Sequence, residues 1–393
     1  MSTPSRDAEA LEADADKAVA RRELARAEQL LEQACAVSSG SADRWVKLAM
    51  VRRSAGKPDA ALEAVSSALA IDPLAFIPLL LRGAILSDLG RLDEAGEAAS
   101  AALFHAPPPE RLPPNLQAQV ERARTLAGAH ADRRSARLKL AAAPARADED
   151  VQERARIDRF ISNAARLTRP FPQAPTDFHF PGLPVREFFD RDALPWLDHL
   201  GARTADFLEE FEGLIAREVA EIVPYVRYKA DLPVAQWRAL NHSNRWSAIH
   251  LIRNGEVIAR NARHCPRTLA AFGALDQPKV AGCSPNLMFS LLAPGTRIPP
   301  HTGVANTRLV VHVPLIVPPA CGFRVGAETR EWQVGQPFAF DDTIEHEAWN
   351  DGQQLRVVLI GDIWRPGLTQ VERNAVASVM SAAALGSERH AAP

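Results

Sequence analysis

His301, in Pro-Pro-His-Thr-Gly, and His346, in Phe-Asp-Asp-Thr-Ile-Glu-His-Glu, are the residues of this chain best suited to chemistry. They stand 45 residues apart. Neutral imidazole suits Fe(II), and oxygen chemistry needs coordination positions left open for a co-substrate and O2. Ten residues after His346, in the apolar run Leu355-Arg356-Val357-Val358-Leu359-Ile360, comes Arg356. A guanidinium buried without an anion is costly, and its planar fork matches a carboxylate. Two imidazoles for an open metal site, then a cation on the next strand, are the layout expected of a non-haem Fe(II) oxygenase with a dicarboxylic co-substrate.

The usual third protein ligand of such an iron is a carboxylate two residues after the first histidine, and Gly303 occupies that place. Either two histidines and water hold the metal, or another acid fills the vacancy. Asp342 shares strand parity with His346 and so can face inward with it. We favour two ligands, with Asp342 behind them. Ser290, in Phe289-Ser290-Leu291, is placed to share a carboxylate with Arg356. Arg308 and His312 lie on one face of a further apolar run and can grip a second carboxylate. The plainer readings are core histidines, and a structural ion pair of Arg356 with Asp341 or Asp362.

These residues need a scaffold, and the chain changes texture three times. Residues 1–145 are rich in Ala, Leu, Glu and Arg with helical periodicity. Gly56, Ala61, Ala64, Ala68, Leu69 and Pro73 recur 34 residues later as Gly90, Ala95, Ala98, Ala102, Leu103 and Pro107. That period, with Gly between helices and small residues where they cross, resembles the tetratricopeptide repeat. Ala27 and Ala34 mark a degenerate earlier copy, and a helix after Pro113 is placed to cap the stack. Such repeats hold a partner protein or serve as a spacer or dimerisation module; no groove residue decides between these. Residues 146–185 read as a Pro-rich linker and domain entry.

Residues 186–375 read as the site-bearing domain, and 376–393 as a C-terminal tail. Strands are expected at Trp246–Ile252, turning at Asn254-Gly255, and at Leu287–Leu292, Leu309–Val317, Phe323–Val325 paired with Arg330–Val334, Phe338–Phe340 and Gln354–Ile360. Many short antiparallel strands with Gly/Pro turns indicate a double-stranded β-helix, a jelly-roll or cupin fold. Helices around Leu197–Glu218 and Arg267–Phe272 would pack outside it. The fold class is therefore multidomain α+β: helical repeats, then a jelly roll with flanking helices.

A net charge of -2 provides no basic field for nucleic acid or anionic membrane. Cys35, Cys265, Cys283 and Cys321 are scattered, which argues against a structural zinc site or a disulfide framework. The first 22 residues are polar and acidic, without an export motif, and no apolar run approaches a membrane span, so a cytoplasmic enzyme is expected.

The stretch from Trp246 to Pro366 resembles the aspartyl/asparaginyl β-hydroxylase family of 2-oxoglutarate-dependent dioxygenases. The matching motifs are His-Thr-Gly-x-x-Asn (His301 to Asn306), Arg-Leu-x-x-His (Arg308 to His312), Phe-Asp-Asp-x-x-x-His-Glu-x-Trp (Phe340 to Trp349) and Leu-Arg-x-x-x-x-x-Asp-x-Trp (Leu355 to Trp364). The resemblance implies Fe(II) held by His301 and His346 without a third carboxylate. It implies that Arg356 and Ser290 bind the distal carboxylate of 2-oxoglutarate, that His312 contacts its metal-side end, and that Arg308 binds a substrate or co-substrate carboxylate. Trp246 would be a pocket wall. The animal enzymes carry a further arginine where this chain has Val310, and no membrane anchor like theirs is expected here, which points away from an EGF-like substrate.

The expected activity is hydroxylation of an unactivated C–H, foremost the β-carbon of Asp or Asn in a peptide, protein or free amino acid, with succinate and CO2 released. A relative acting on a lipid acyl chain would share this chemistry, but no membrane involvement is expected here. The alternatives are a non-catalytic repeat scaffold with a degenerate jelly roll, and a cupin-like metalloenzyme of another type.

Overall fold

A computed structural model describes residues 3–108, 111–229 and 235–386. The chain divides into two compact units, residues 1–169 and 170–393, each described by itself. In the first, helices α1 (Thr3–Ala20), α2 (Leu24–Val37), α3 (Ala42–Ser54), α4 (Pro58–Ile71), α5 (Phe76–Asp88) and α6 (Leu92–Phe104) pack as successive pairs. The period sets the crossings. Ala27, Ala61 and Ala95 are fully buried, as are Ala34, Ala68 and Ala102, each pair of neighbours 34 residues apart. The degenerate first copy is thus a complete helix pair, which supplies the third repeat such a stack needs.

Its turn shows where the sequence signal failed. Gly56 and Gly90 turn the chain with φ of 73° and 72°, and Arg22 holds the equivalent position with φ 61°. A left-handed arginine carries strain that glycine does not. Arg22→Gly should therefore stabilise the helical unit by about 1 kcal/mol, read as a raised midpoint in chemical denaturation.

Helix α7 (Pro114–Ala142) closes the stack against α6. Their approach is close: a Cβ on Gly96 would fall 2.2 Å from that of His130. The stretch read as a linker contains helix α8 (Val151–Ala164), opened by a capping box in which Asp150 accepts from the Glu153 amide and Glu153 from the Asp150 amide. Prolines accumulate only from Pro170, where the first unit ends.

The second unit contains twelve strands among the described residues: β1 (Phe188–Phe189), β2 (Val223–Pro224), β3 (Trp246–Arg253), β4 (Glu256–Val257), β5 (Leu287–Leu292), β6 (Thr296–His301), β7 (Arg308–Ile316), β8 (Cys321–Val325), β9 (Glu328–Arg330), β10 (Phe338–Phe340), β11 (His346–Asn350) and β12 (Arg356–Trp364). Between β1 and β2 lie helices α9 (Leu197–Ala202) and α10 (Thr204–Ala216), and between β4 and β5 lie α11 (Ala259–Ala262) and α12 (Pro266–Gly273). One sheet runs β1-β10-β7-β12-β5-β3-β2, with β4 paired to β3, and the other runs β6-β11-β8-β9. Every pairing is antiparallel, which gives the double-stranded β-helix.

Alternation along the strands separates two cores. Phe289, Leu291, Val311, Val313, Val357 and Leu359 join Leu197, Phe207, Phe211 and Phe272 between the larger sheet and the helices. Trp246, Leu292, Val310 and Val358 face the other way, meeting Ile298, Phe323 and Ala348 between the sheets. Asn254 and Gly255 form the expected β3–β4 turn with φ of 54° and 86°.

Three expectations change. The strand after Phe323–Val325 is shorter and earlier than Arg330–Val334, since Phe323 pairs with Arg330. Residues 376–386, expected as tail, belong to helix α13 (Gln370–Gly386), whose Val376 and Met380 pack on Trp364 and Val280; the rest of the expected tail lies outside the described residues. Strand β6 was not marked because Pro299 and Pro300 lie within it; at the edge of its sheet, prolines forgo no ladder bond the strand requires.

Candidate active site

Both histidines lie on the smaller sheet, where β6 and β11 pair His301 directly with His346. Their ring centroids are 4.0 Å apart with planes at 50°. Each ring is oriented by a backbone carbonyl two residues earlier: His301 Nδ1 lies 2.8 Å from Pro299 O, and His346 Nδ1 3.1 Å from Ile344 O. A carbonyl only accepts, so Nδ1 carries the proton and Nε2 keeps its lone pair, the arrangement a ligating histidine needs. Burial pushes the basicity of His301 down to about 4 and that of His346 well below the usual range. Both are neutral at pH 7, as metal binding requires.

Among the described residues, no three His, Cys, Asp or Glu side chains cluster so as to hold a metal ion. The reason is visible at Gly303. A Cβ there would fall 2.1 Å from Asp342 Oδ2, so Asp342 fills the space a carboxylate at 303 would need. The Gly303 amide donates to Asp342 O at 2.6 Å. Asp342 is itself held by Arg308, whose Nη2 lies 2.8 Å from Oδ2, while its buried Oδ1 has no partner among the described residues. Burial raises the Asp342 carboxyl to about 6, against the opposing pull of Arg308. Gly303→Ala should force Asp342 off Arg308 and cost roughly 1–3 kcal/mol of stability, seen as a lowered thermal midpoint.

Arg356 begins β12 rather than lying mid-strand, and its side chain is 2% exposed. Among the described residues it forms no ion pair. Asp341 pairs instead with Arg365 at 2.5 Å, and Asp362 accepts from Ser284 Oγ and the Asn286 amide, each at 2.8 Å. The structural ion pair for Arg356 is therefore absent. Its Nη1 reaches Ser290 Oγ at 3.5 Å, its buried Nε has no partner among the described residues, and its Cζ lies 4.9 Å over the Trp332 ring. Burial lowers its pKa to about 10. A cation at this cost is arranged for an incoming anion.

The remaining candidates line the same cavity of about 810 Å³. Register places Arg356 beside Leu292 and Trp246, and Val358 beside Ser290 and Ala248, so Arg356, Ser290 and Trp246 come together. Trp246 Nε1 donates to Ser290 Oγ at 3.1 Å. Trp332 Nε1 donates to His312 Nδ1 at 3.3 Å, which leaves the His312 proton on Nε2, able to donate to a ligand. Arg308 is less free than expected, because Asp342 already takes part of its fork.

Tyr225 stacks on Trp246 at 3.8 Å, and Trp237 sets its edge against His301 at 5.0 Å. Sequence reasoning missed Tyr225, Trp237 and Trp332. They are single aromatics outside strands with inward parity, and no spacing singles them out.

Fold and cavity together define the class: a double-stranded β-helix whose smaller sheet carries two neutral, lone-pair-bearing imidazoles and whose larger sheet carries an uncompensated buried arginine. Residues 209–366 match the family model described as aspartyl/asparaginyl beta-hydroxylase. The chain is 33% identical over 231 residues to human aspartate beta-hydroxylase domain-containing protein 2, covering 56% of this chain and 59% of that protein. It is 33% identical over 142 residues to mouse aspartyl/asparaginyl beta-hydroxylase, covering 36% and 19%. It is 30% identical over 181 residues to the ornithine lipid ester-linked acyl 2-hydroxylase of Rhizobium tropici, covering 45% and 60%. The chain thus spans less than two thirds of each of these relatives.

Among solved structures, the first TPR of Spaghetti (RPAP3) bound to an HSP90 peptide is 18% identical over 32% of this chain and 94% of that one. Its TM-score of 0.28 carries no argument, and the repeat assignment rests on the helix pairs themselves. No helix among the described residues is long and apolar enough to cross a membrane.

Proposed function

We propose that the jelly-roll unit is an Fe(II)- and 2-oxoglutarate-dependent hydroxylase. The observation that carries this reading is Arg356, a buried guanidinium with no acid, in one cavity with two neutral imidazoles. His301 and His346 would hold the iron through Nε2. Bound iron would supply the oxidising power by which O2 and 2-oxoglutarate turn a C–H into a C–OH, with succinate and CO2 released. Arg356 and Ser290 would hold the distal carboxylate of 2-oxoglutarate, and His312 would donate from Nε2 to its other end. Asp342, fixed by Arg308, has a free Oδ1 placed to accept from a water or ligand beside the histidines. Trp246, Tyr225 and Trp237 form an apolar wall that excludes bulk water.

The related hydroxylases narrow the substrate chemistry. The β-carbon of aspartate and the 2-position of an acyl chain both adjoin a carboxyl-level carbon. We read the target here as such a C–H, foremost the β-carbon of an Asp or Asn in a peptide, protein or free amino acid. The helical repeats would serve to hold a protein partner. Succinate formation by the iron-loaded chain, dependent on 2-oxoglutarate and stimulated by an Asp-containing peptide, tests the reading. Iron-loaded protein that binds no 2-oxoglutarate would overturn it.

A further inference from the structure

The arginines lining the cavity are Arg227, Arg253, Arg308 and Arg356. Asp342 answers Arg308, and 2-oxoglutarate would answer Arg356. Arg227 and Arg253 are unassigned. Both are half-buried, and among the described residues neither forms a hydrogen bond or ion pair with an acid. The contrast with their neighbours is sharp, since Arg245, Arg267, Arg297 and Arg324 all have oxygen partners.

Arg227 and Arg253 both act on a further polar group that lines the same cavity. His250 sits on the cavity face of β3, four residues beyond Trp246, and its buried Nδ1 has no hydrogen-bond partner among the described residues. Register sets His250 beside Met288 and Ile360, whereas Arg356 is set beside Leu292 and Trp246. The two positions are therefore separated by roughly 13 Å along the strands. Burial, then the Arg253 and Arg227 guanidiniums, push the His250 basicity down to about 4, so the ring is a neutral donor. Burial and Arg227 also lower the basicity of Arg253, only partly offset by Glu221. The two cations thus act on each other.

We propose that Arg227, Arg253 and His250 form a second oxyanion subsite, which holds an anionic group of the substrate, a carboxylate or a phosphate, away from the co-substrate arginine. Two guanidiniums brought together without an acid repel, and an oxyanion between them removes that repulsion. The unpaired imidazole supplies a further donor. The inference rests on the hydroxylase reading for the word substrate. It adds that the substrate carries a second anion, distinct from the carboxyl-level carbon beside the reacting C–H.

The test uses the full chain with Arg356→Gln, which silences the co-substrate end, titrated in a calorimeter with inorganic phosphate and separately with L-aspartate. At least one probe should bind in the millimolar range, and the one that does identifies the anion. Adding Arg227→Gln and Arg253→Gln should weaken that binding at least tenfold, and Arg227→Lys with Arg253→Lys should retain most of it. These half-exposed positions tolerate substitution, which a thermal scan of each variant checks. Binding unchanged by the Gln pair, or no binding of either probe, would overturn the subsite. Failure of the hydroxylase reading is seen separately, as wild-type chain that binds no 2-oxoglutarate whatever the phosphate result.

Discussion

Arg356→Met should raise the 2-oxoglutarate requirement by roughly 30- to 4000-fold while leaving the folded chain as stable as before or more so. Losing one partner of a buried charge pair costs about 2–5 kcal/mol, and each 1.4 kcal/mol is about tenfold in affinity. That loss appears only when the anion is present. In the free protein Arg356 has an orphaned Nε, one long contact to Ser290, and a pKa lowered by burial. Replacing such a cation with an apolar side chain of similar length removes a desolvation cost, as replacements of buried ions elsewhere often do. A functional arginine therefore separates the two readouts. Arg365, equally buried but paired with Asp341, provides the control. Its substitution by Met should destabilise by about 3–5 kcal/mol, because Asp341 is left unpaired. Titration of 2-oxoglutarate alongside thermal unfolding of the metal-free variants checks both.

His301→Ala and His346→Ala should each abolish iron retention and reduce turnover by on the order of 1000-fold or more, since the metal supplies several kcal/mol of transition-state stabilisation. A three-ligand site can survive the loss of one ligand. Among the described residues no third protein ligand is in place, and Asp342 is held away by Arg308. The fold should survive either change. Each ring is held by a backbone carbonyl, that of Pro299 or of Ile344, so the stability cost should be about 1–3 kcal/mol. Iron content after desalting, together with circular dichroism of the metal-free variants, checks the pair. Wild-type iron content in either variant would remove that histidine from the site.

The parts of the fold legible in sequence were those governed by period. The 34-residue repeat placed α3 to α6, and alternation placed β3, β5, β7 and β12. Arg356 was legible because a charge in an apolar run is an anomaly that demands an anion. Strand β6 was hidden by its own prolines, and with it the pairing that brings His301 against His346. Helix α8 was hidden because the proline run that begins at Pro170, beyond its end, coloured the whole stretch, although its capping box was present in Asp150-x-x-Glu153. Asp342 could be placed near the histidines by parity. Only the structure shows that it occupies the room of a Gly303 side chain and ties up Arg308. The second cationic arm was invisible, because Arg227 and Arg253 come from segments whose approach depends on the tertiary fold.

The most direct test of the central claim, that His301, His346 and Arg356 form one site for iron and 2-oxoglutarate, is anaerobic titration of the purified chain with Fe(II) and then 2-oxoglutarate. The measurement follows the weak visible metal-to-ligand absorption. A band that needs both additions, and vanishes in His301→Ala, is the predicted result. Absence of the band from wild-type protein that demonstrably carries iron would contradict the claim and leave the jelly roll without its co-substrate.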